Sequence, residues 1–214
     1  MRVKKFAGVC LDGYPFVAIF LGITVIAFWM NFLWAAIPFT IVTLWCLWFF
    51  RDPDRTFTGG ENEVVSPADG RIVAIKDEVD FPYLLEGKAK RVSIYMNIFN
   101  VHVNRFPLTG KVLDTKYFKG SFKGAFEEKA SLENEQMGIL IDHQGQKILF
   151  VQIAGLIARR IVCRVKRDDE LQRGERFGLI RFGSRMDVYL PLDAQVDVEM
   201  DQKVFAGRTK LGQL

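Results

Sequence analysis

Histidine is the scarcest of the residues that commonly carry chemistry in this chain of 214 residues: there are two, His102 and His143. Cysteine is nearly as rare. Cys10, Cys46 and Cys163 are far apart and form no C-x-x-C pair, so the sequence encodes neither a disulfide framework nor a cysteine-rich zinc site. The three read as buried or reduced thiols, and no metal is expected. Net charge is modest, +4 with neutral histidines. A nucleic-acid binder calls for a strong positive field and exposed stacking aromatics, which this chain does not offer, so no nucleic-acid partner is expected. Low-complexity tracts are missing too, and the composition is that of one packed domain with an appendage.

The largest gap is in charge itself. Residues 14–50, "YPFVAIFLGITVIAFWMNFLWAAIPFTIVTLWCLWFF", hold no charged side chain over 37 positions, far more than a soluble core helix requires. As one helix the block would be about 55 Å long, against a hydrocarbon layer of about 30 Å. Two short helices, over about 14–30 and 32–50 and turning near Met30-Asn31, fit better. A hairpin that only enters one leaflet has the same composition, because each half is short. A cleaved signal peptide would have an apolar region of only about 7–15 residues. Arg2, Lys4 and Lys5 precede the block and Arg51 and Arg55 follow it, which predicts a cell-membrane anchor with both ends, and the following domain, in the cytoplasm.

From Arg51 onward the texture changes to short alternating runs separated by glycine, proline and charge, giving a boundary between residues 1–50 and 51–214. Strands are expected at 71–75, 91–96, 101–106, 138–143, 147–154, 160–167 and 195–200. That pattern predicts a mainly β barrel or sandwich preceded by the helical hairpin. Residues 118–136 interrupt it. There Phe118, Phe122 and Phe126 recur every four residues among Lys119 and Lys123, which suits either an interfacial helix on anionic lipid or a solvated loop tucked onto the sheet.

Three segments hold candidate chemistry. In "VVSPADGRIVAI" (64–75), Asp69-Gly70 is a strong reversal signal, and Asp69 is either a turn cap or a functional carboxylate. In "NVHVNRFP" (100–107), alternation puts His102 on the face of Asn100 and Asn104, where an imidazole among polar groups suits acid/base work. His143, in "DHQGQ", reads as exposed turn filler. The third segment is "IRFGSRMDVYL" (180–190), strand-like on both sides of Gly183-Ser184, where a bulge or bend is the plainest explanation. Asp69, His102 and Ser184 together supply a hydroxyl, an imidazole and a carboxylate. The serine lacks the G-x-S-x-G context of a hydrolase elbow.

These segments, with "FFRDPDR", "MNIFNVHVNRFPLTGKV", "KASLENEQ", "IAGLIARRIV" and "RFGSRMDVYLP", resemble short-form pyruvoyl-dependent phosphatidylserine decarboxylases over nearly the whole chain. The resemblance implies that the Gly183–Ser184 bond cuts itself, leaving a large chain of residues 1–183 and a small chain of 184–214 capped by a covalent pyruvoyl group made from Ser184. The two products would stay together as a heterodimer. It implies that Asp69 and His102 activate the serine. The pyruvoyl carbonyl would then form a Schiff base with the amine of the phospholipid substrate, yielding phosphatidylethanolamine and CO2 with no metal. Relatives often carry arginine where this chain has Gln136, so Asn134 and Glu135 enter only as contributors. Archaetidylserine decarboxylation, which shares the head-group chemistry, and a non-catalytic membrane-anchored β module are the alternatives. "SPADG" suits a lipoyl-carrier type of turn but lacks the lysine that would carry the cofactor.

Overall fold

The computed structural model describes residues 3–81, 84–120, 134–155, 160–181 and 184–214. They form two compact units, Val3–Asp54 and Arg55–Leu214.

In the first unit a small hairpin, β1 (Lys5–Phe6) and β2 (Val9–Cys10), leads into two helices, α1 (Tyr14–Trp29) and α2 (Leu33–Phe49). Pro15 sits in the first turn of α1, where a missing N–H breaks no helical bond. The helices are separated at Asn31, whose φ of 58° is left-handed, a conformation asparagine tolerates better than most residues. Phe20 stacks on Phe39 across the pair at 6.3 Å. Thr40 and Thr43 turn their hydroxyls back onto the carbonyls of Ala36 and Phe39, so neither presents a bare polar group. Leu11–Trp29 spans 19 residues with a mean hydropathy of 1.9, long and apolar enough to cross a membrane, whereas Leu33–Phe49 is shorter. Trp29, Trp34, Ile19 and Ile41 are all exposed.

The second unit is built from β3 (Glu63–Val65), β4 (Gly70–Asp80), β5 (Lys88–Met96), β6 (Val103–Arg105), β7 (Gly110–Phe118), β8 (Gln136–His143) and β9 (Gln146–Ala154). It continues with β10 (Ile161–Cys163), β11 (Glu170–Leu171), β12 (Arg176–Ile180), β13 (Ser184–Leu190), β14 (Gln195–Val196), β15 (Lys203–Val204) and β16 (Lys210–Gln213). Eight of them form one sheet in the order β11-β7-β8-β9-β13-β5-β4-β15, and two three-stranded sheets run β10-β12-β6 and β14-β16-β3. The fold class is therefore mainly β, as the alternating runs indicate.

The core lies on the face of the large sheet that carries Ile72, Ile94, Ile139, Phe150 and Met186, packed with Phe106 and Phe177 beside the β6–β12 pair and Leu211 of β16. Phe150 meets Phe106 edge-on at 5.3 Å and Phe177 at 5.2 Å, the geometry in which ring edges face ring π-clouds. Two sequence expectations change. His143 is buried, not exposed: its Nδ1 lies 2.7 Å from the carbonyl of Thr109, and the β8–β9 reversal is made by Gln144-Gly145, both at positive φ. The run 180–190 is not a single bulged strand. β12 ends at Ile180 in a small sheet and β13 starts at Ser184 in the large one, so the Gly-Ser pair falls where the chain changes sheets.

Candidate active site

Ser184 opens β13, the strand between β5 and β9, and pairs in register with Met96 on one side and Ala154 on the other. Side chains alternate along a strand. Ser184 therefore shares a face with Met186 and Val188, which lie in the main core, and it is fully buried. Its Oγ has no hydrogen-bond partner among the described residues. Leaving a buried hydroxyl unsatisfied costs about 1–3 kcal/mol, so the position calls for a reason other than stability. Phe182 and Gly183, the latter predicted as one half of the cleavage site, lie outside the described residues.

The ends of neighbouring strands collect around this serine. Asn134 donates from Nδ2 to the carbonyl of Ala154 at 2.8 Å, and the Ala154 N–H donates to the carbonyl of Glu135 at 2.9 Å. Asn134 and Glu135, both buried, are thereby tied to the residue opposite Ser184. His102 immediately precedes β6 and is 1 % exposed; its carbonyl receives the N–H of Ile180, the last residue of β12, and its Nδ1 lies 3.0 Å from the Asn100 carbonyl. Two residues on, Asn104 accepts from Gln152 Nε2 at 2.9 Å and contacts Met96 Sδ at 3.7 Å. Met96 pairs with Ser184 and Gln152 with Met186. The β6 segment thus lies over the start of β13, with His102 immediately before it.

Asp69 reaches the region from the far side of β5. Gly70 begins β4 so close to β5 that a Cβ there would sit 2.1 Å from the Tyr95 carbonyl, which fixes glycine after the aspartate. The Asp69 carboxylate is gripped by both terminal nitrogens of Arg55, the second at 2.8 Å, and receives the Ala206 N–H at 2.8 Å. The opposite face of β13 is also polar: Arg185 donates from Nε to Asp187 at 2.6 Å and from Nη2 to Ser93 at 2.8 Å, all three buried. Beside them, burial above all, together with the Asp187 charge, pushes the Tyr189 hydroxyl up to about 12, so it stays protonated at neutral pH.

A family model described as phosphatidylserine decarboxylase matches residues 42–212 of this chain. The phosphatidylserine decarboxylase proenzyme of Magnetococcus marinus is 45% identical over 99% of this chain and 98% of its own length. The chain belongs to the phosphatidylserine decarboxylase family. The proenzymes of Nitrosomonas europaea, 48% identical over 94% of this chain and 93% of theirs, and Rickettsia typhi, 49% over 92% and 87%, are similar across the same span. By family the chain is a carboxy-lyase.

For a decarboxylase of this family, three residues of the site went unassigned in the sequence: Arg55, Asn104 and Gln152. Gln152 had a signal, as the one polar side chain between Ile148 and Ala154 in an apolar strand. Asn104 had one as well, in its alternation with His102. Arg55 had none, because nothing local ties it to a carboxylate fourteen residues away. Of the 118–136 segment, Phe118 closes β7 with Lys116 over its ring at 5.0 Å and Lys119 is exposed. Phe122, Lys123 and Phe126 lie outside the described residues.

Proposed function

We propose that this chain is a proenzyme that cuts itself between Gly183 and Ser184 and then converts phosphatidylserine to phosphatidylethanolamine and CO2 at the cytoplasmic surface of the cell membrane. The observation that carries the reading is the Ser184 hydroxyl: buried, without a partner among the described residues, at the head of a central strand and directly after the point where the chain leaves one sheet for another. A hydroxyl kept from hydrogen bonding is a nucleophile available to its own backbone.

In the cleavage, Ser184 Oγ attacks the Gly183 carbonyl carbon while His102 takes the hydroxyl proton and returns it to the departing Ser184 nitrogen. The peptide C–N bond breaks and an ester forms. Loss of the Ser184 α-proton then expels Gly183 as a carboxylate and leaves dehydroalanine, which takes up water and releases ammonia to give the pyruvoyl group. Asp69 is the carboxylate that orients His102 in this reading, with Arg55 and the Ala206 N–H holding it in place. Once formed, the pyruvoyl carbonyl acts as an electron sink for the electrons released with CO2. His102 supplies the proton to the carbon that loses CO2, and the buried, apolar surroundings of residue 184 keep bulk water from competing.

The apolar hairpin supports a membrane location. Leu11–Trp29 is of spanning length and its exposed residues are apolar, while Lys4, Lys5 and Arg51 flank the pair on the side expected to face the cytoplasm. Intact-mass analysis of the purified protein tests the whole reading. Two polypeptides, 1–183 and 184–214 with a pyruvoyl terminus, are expected, and Ser184→Ala leaves one. An uncut wild-type chain that decarboxylates phosphatidylserine at full rate overturns it.

A further inference from the structure

Near the head of β13, Ser184 Oγ is not alone in lacking a hydrogen-bond partner among the described residues: Gln152 Oε1 of β9 lacks one too. Gln152 is fully buried, and the other side chains on its face of the strand, Ile148, Phe150 and Ala154, belong to the apolar core. The ladder places it relative to the serine. Ala154 is the register partner of Ser184 and Gln152 that of Met186, so Gln152 lies on the same sheet face as Ser184 and diagonally beside it. Diagonal neighbours are about 7–8 Å apart, within reach of a long side chain. The amide is held one way round. Its Nε2 donates to Asn104 Oδ1 at 2.9 Å, and Asn104 Nδ2 in turn donates to Met96 Sδ at 3.7 Å. Reversing both amides would set Asn104 Oδ1 against a thioether sulfur, which can only accept, and reversing Gln152 alone would set oxygen against oxygen. A Cβ at Gly178 would meet Nε2 at 3.0 Å, so β12 also packs against the nitrogen end. What is left over is the oxygen, a buried acceptor that calls for a donor.

We propose that Gln152 Oε1 accepts an N–H of the substrate's primary amine and so turns that nitrogen towards residue 184. The inference rests on the decarboxylase reading above, in which the amine of phosphatidylserine comes to the carbonyl made from Ser184. A primary amine has N–H groups to spare. One points at the amide oxygen while the lone pair faces the carbonyl carbon, which is an orientation effect and not a proton transfer. A carboxylate in the same place would favour the ammonium form, which has no lone pair to offer, whereas a neutral amide does not. A quaternary headgroup has no N–H and leaves the acceptor unmet, so the site discriminates against it.

The test uses the full-length protein in neutral detergent, wild type and Gln152→Leu, treated with borohydride so that the carbonyl at residue 184 becomes an alcohol and no longer reacts with amines. Thermal unfolding with short-chain phosphatidylethanolamine or short-chain phosphatidylcholine then reads binding of the two headgroups without turnover. The reduced wild type should prefer the primary amine by about tenfold, and Gln152→Leu should lose that preference while still binding the choline lipid. Gln152→Met serves if Gln152→Leu does not fold. An equal loss of both affinities is what a merely structural role would give, and it overturns the proposal. So does a preference that the variant keeps. The intact mass of the wild type separates the two levels of inference: an uncut chain defeats the decarboxylase reading and this proposal with it, whereas a cut chain without the preference defeats this proposal alone.

Discussion

At the scale of single residues, the site rests on one unsatisfied hydroxyl and one over-satisfied carboxylate. Among the described residues the Ser184 hydroxyl has no hydrogen-bond partner, whereas the Asp69 carboxylate receives three hydrogen bonds. Replacing His102 by alanine should slow self-cleavage by about 10²–10⁴, the usual worth of a positioned acid/base group, measured as the fraction of cut chain against time. Arg55→Gln removes the cationic partner of a buried carboxylate and should cost about 3–5 kcal/mol in denaturant unfolding. Burial raises the Cys163 thiol to about 11, above its ordinary 9.0. Its pKa is raised in the folded state, so the stability it contributes is whole below about 9 and is lost as pH climbs through about 11. Alkylation of Cys163 should accordingly be slow at pH 8 and should accelerate only above pH 10, followed by mass.

At the scale of elements, the strands that the sequence showed plainly are those buried on one or both faces. "KILFVQIA" and "GILIDH" became β9 and β8 because continuous or alternating apolar runs have nowhere else to go. β7, "GKVLDTKYF", was invisible: Val112 is its one buried side chain, and the strand is held by its ladder to β8 and not by any pattern of its own. The change of sheet between β12 and β13 was equally hidden. Residues 180–190 read as a strand with a bulge or bend at Gly183-Ser184, and only the hydrogen-bonding partners, distant in sequence, assign the two halves to different sheets. Candidate chemistry was legible where a residue type was scarce, as with His102, and a buried ion pair was illegible where it came from tertiary contact, as with Arg55. Within β13, the Arg185–Asp187 pair is buried behind Ser184. Arg185→Met alone should destabilise the fold by about 3–5 kcal/mol, whereas Arg185→Met with Asp187→Leu should recover most of that loss, read from urea midpoints.

At the scale of the whole molecule, a helical unit and a β unit differ in kind, one apolar and exposed, the other closed around its own core. The proposed attachment through Leu11–Trp29 would depend on apolar burial and not on charge, so the protein should float with lipid vesicles and stay with them through a molar-salt wash. Release by salt would show that the basic flanks alone hold it there. The segment that follows the proposed cut deserves a last consequence. β13 is laddered along Ser184–Leu190 to β5 and along Ser184–Tyr189 to β9, and the later β15 and β16 join β4 and β3. A molecule severed before residue 184 therefore keeps its shape, yet it melts into two separate pieces. Refolding of a cut copy is therefore bimolecular, and its melting midpoint should rise with protein concentration where that of an uncut chain does not.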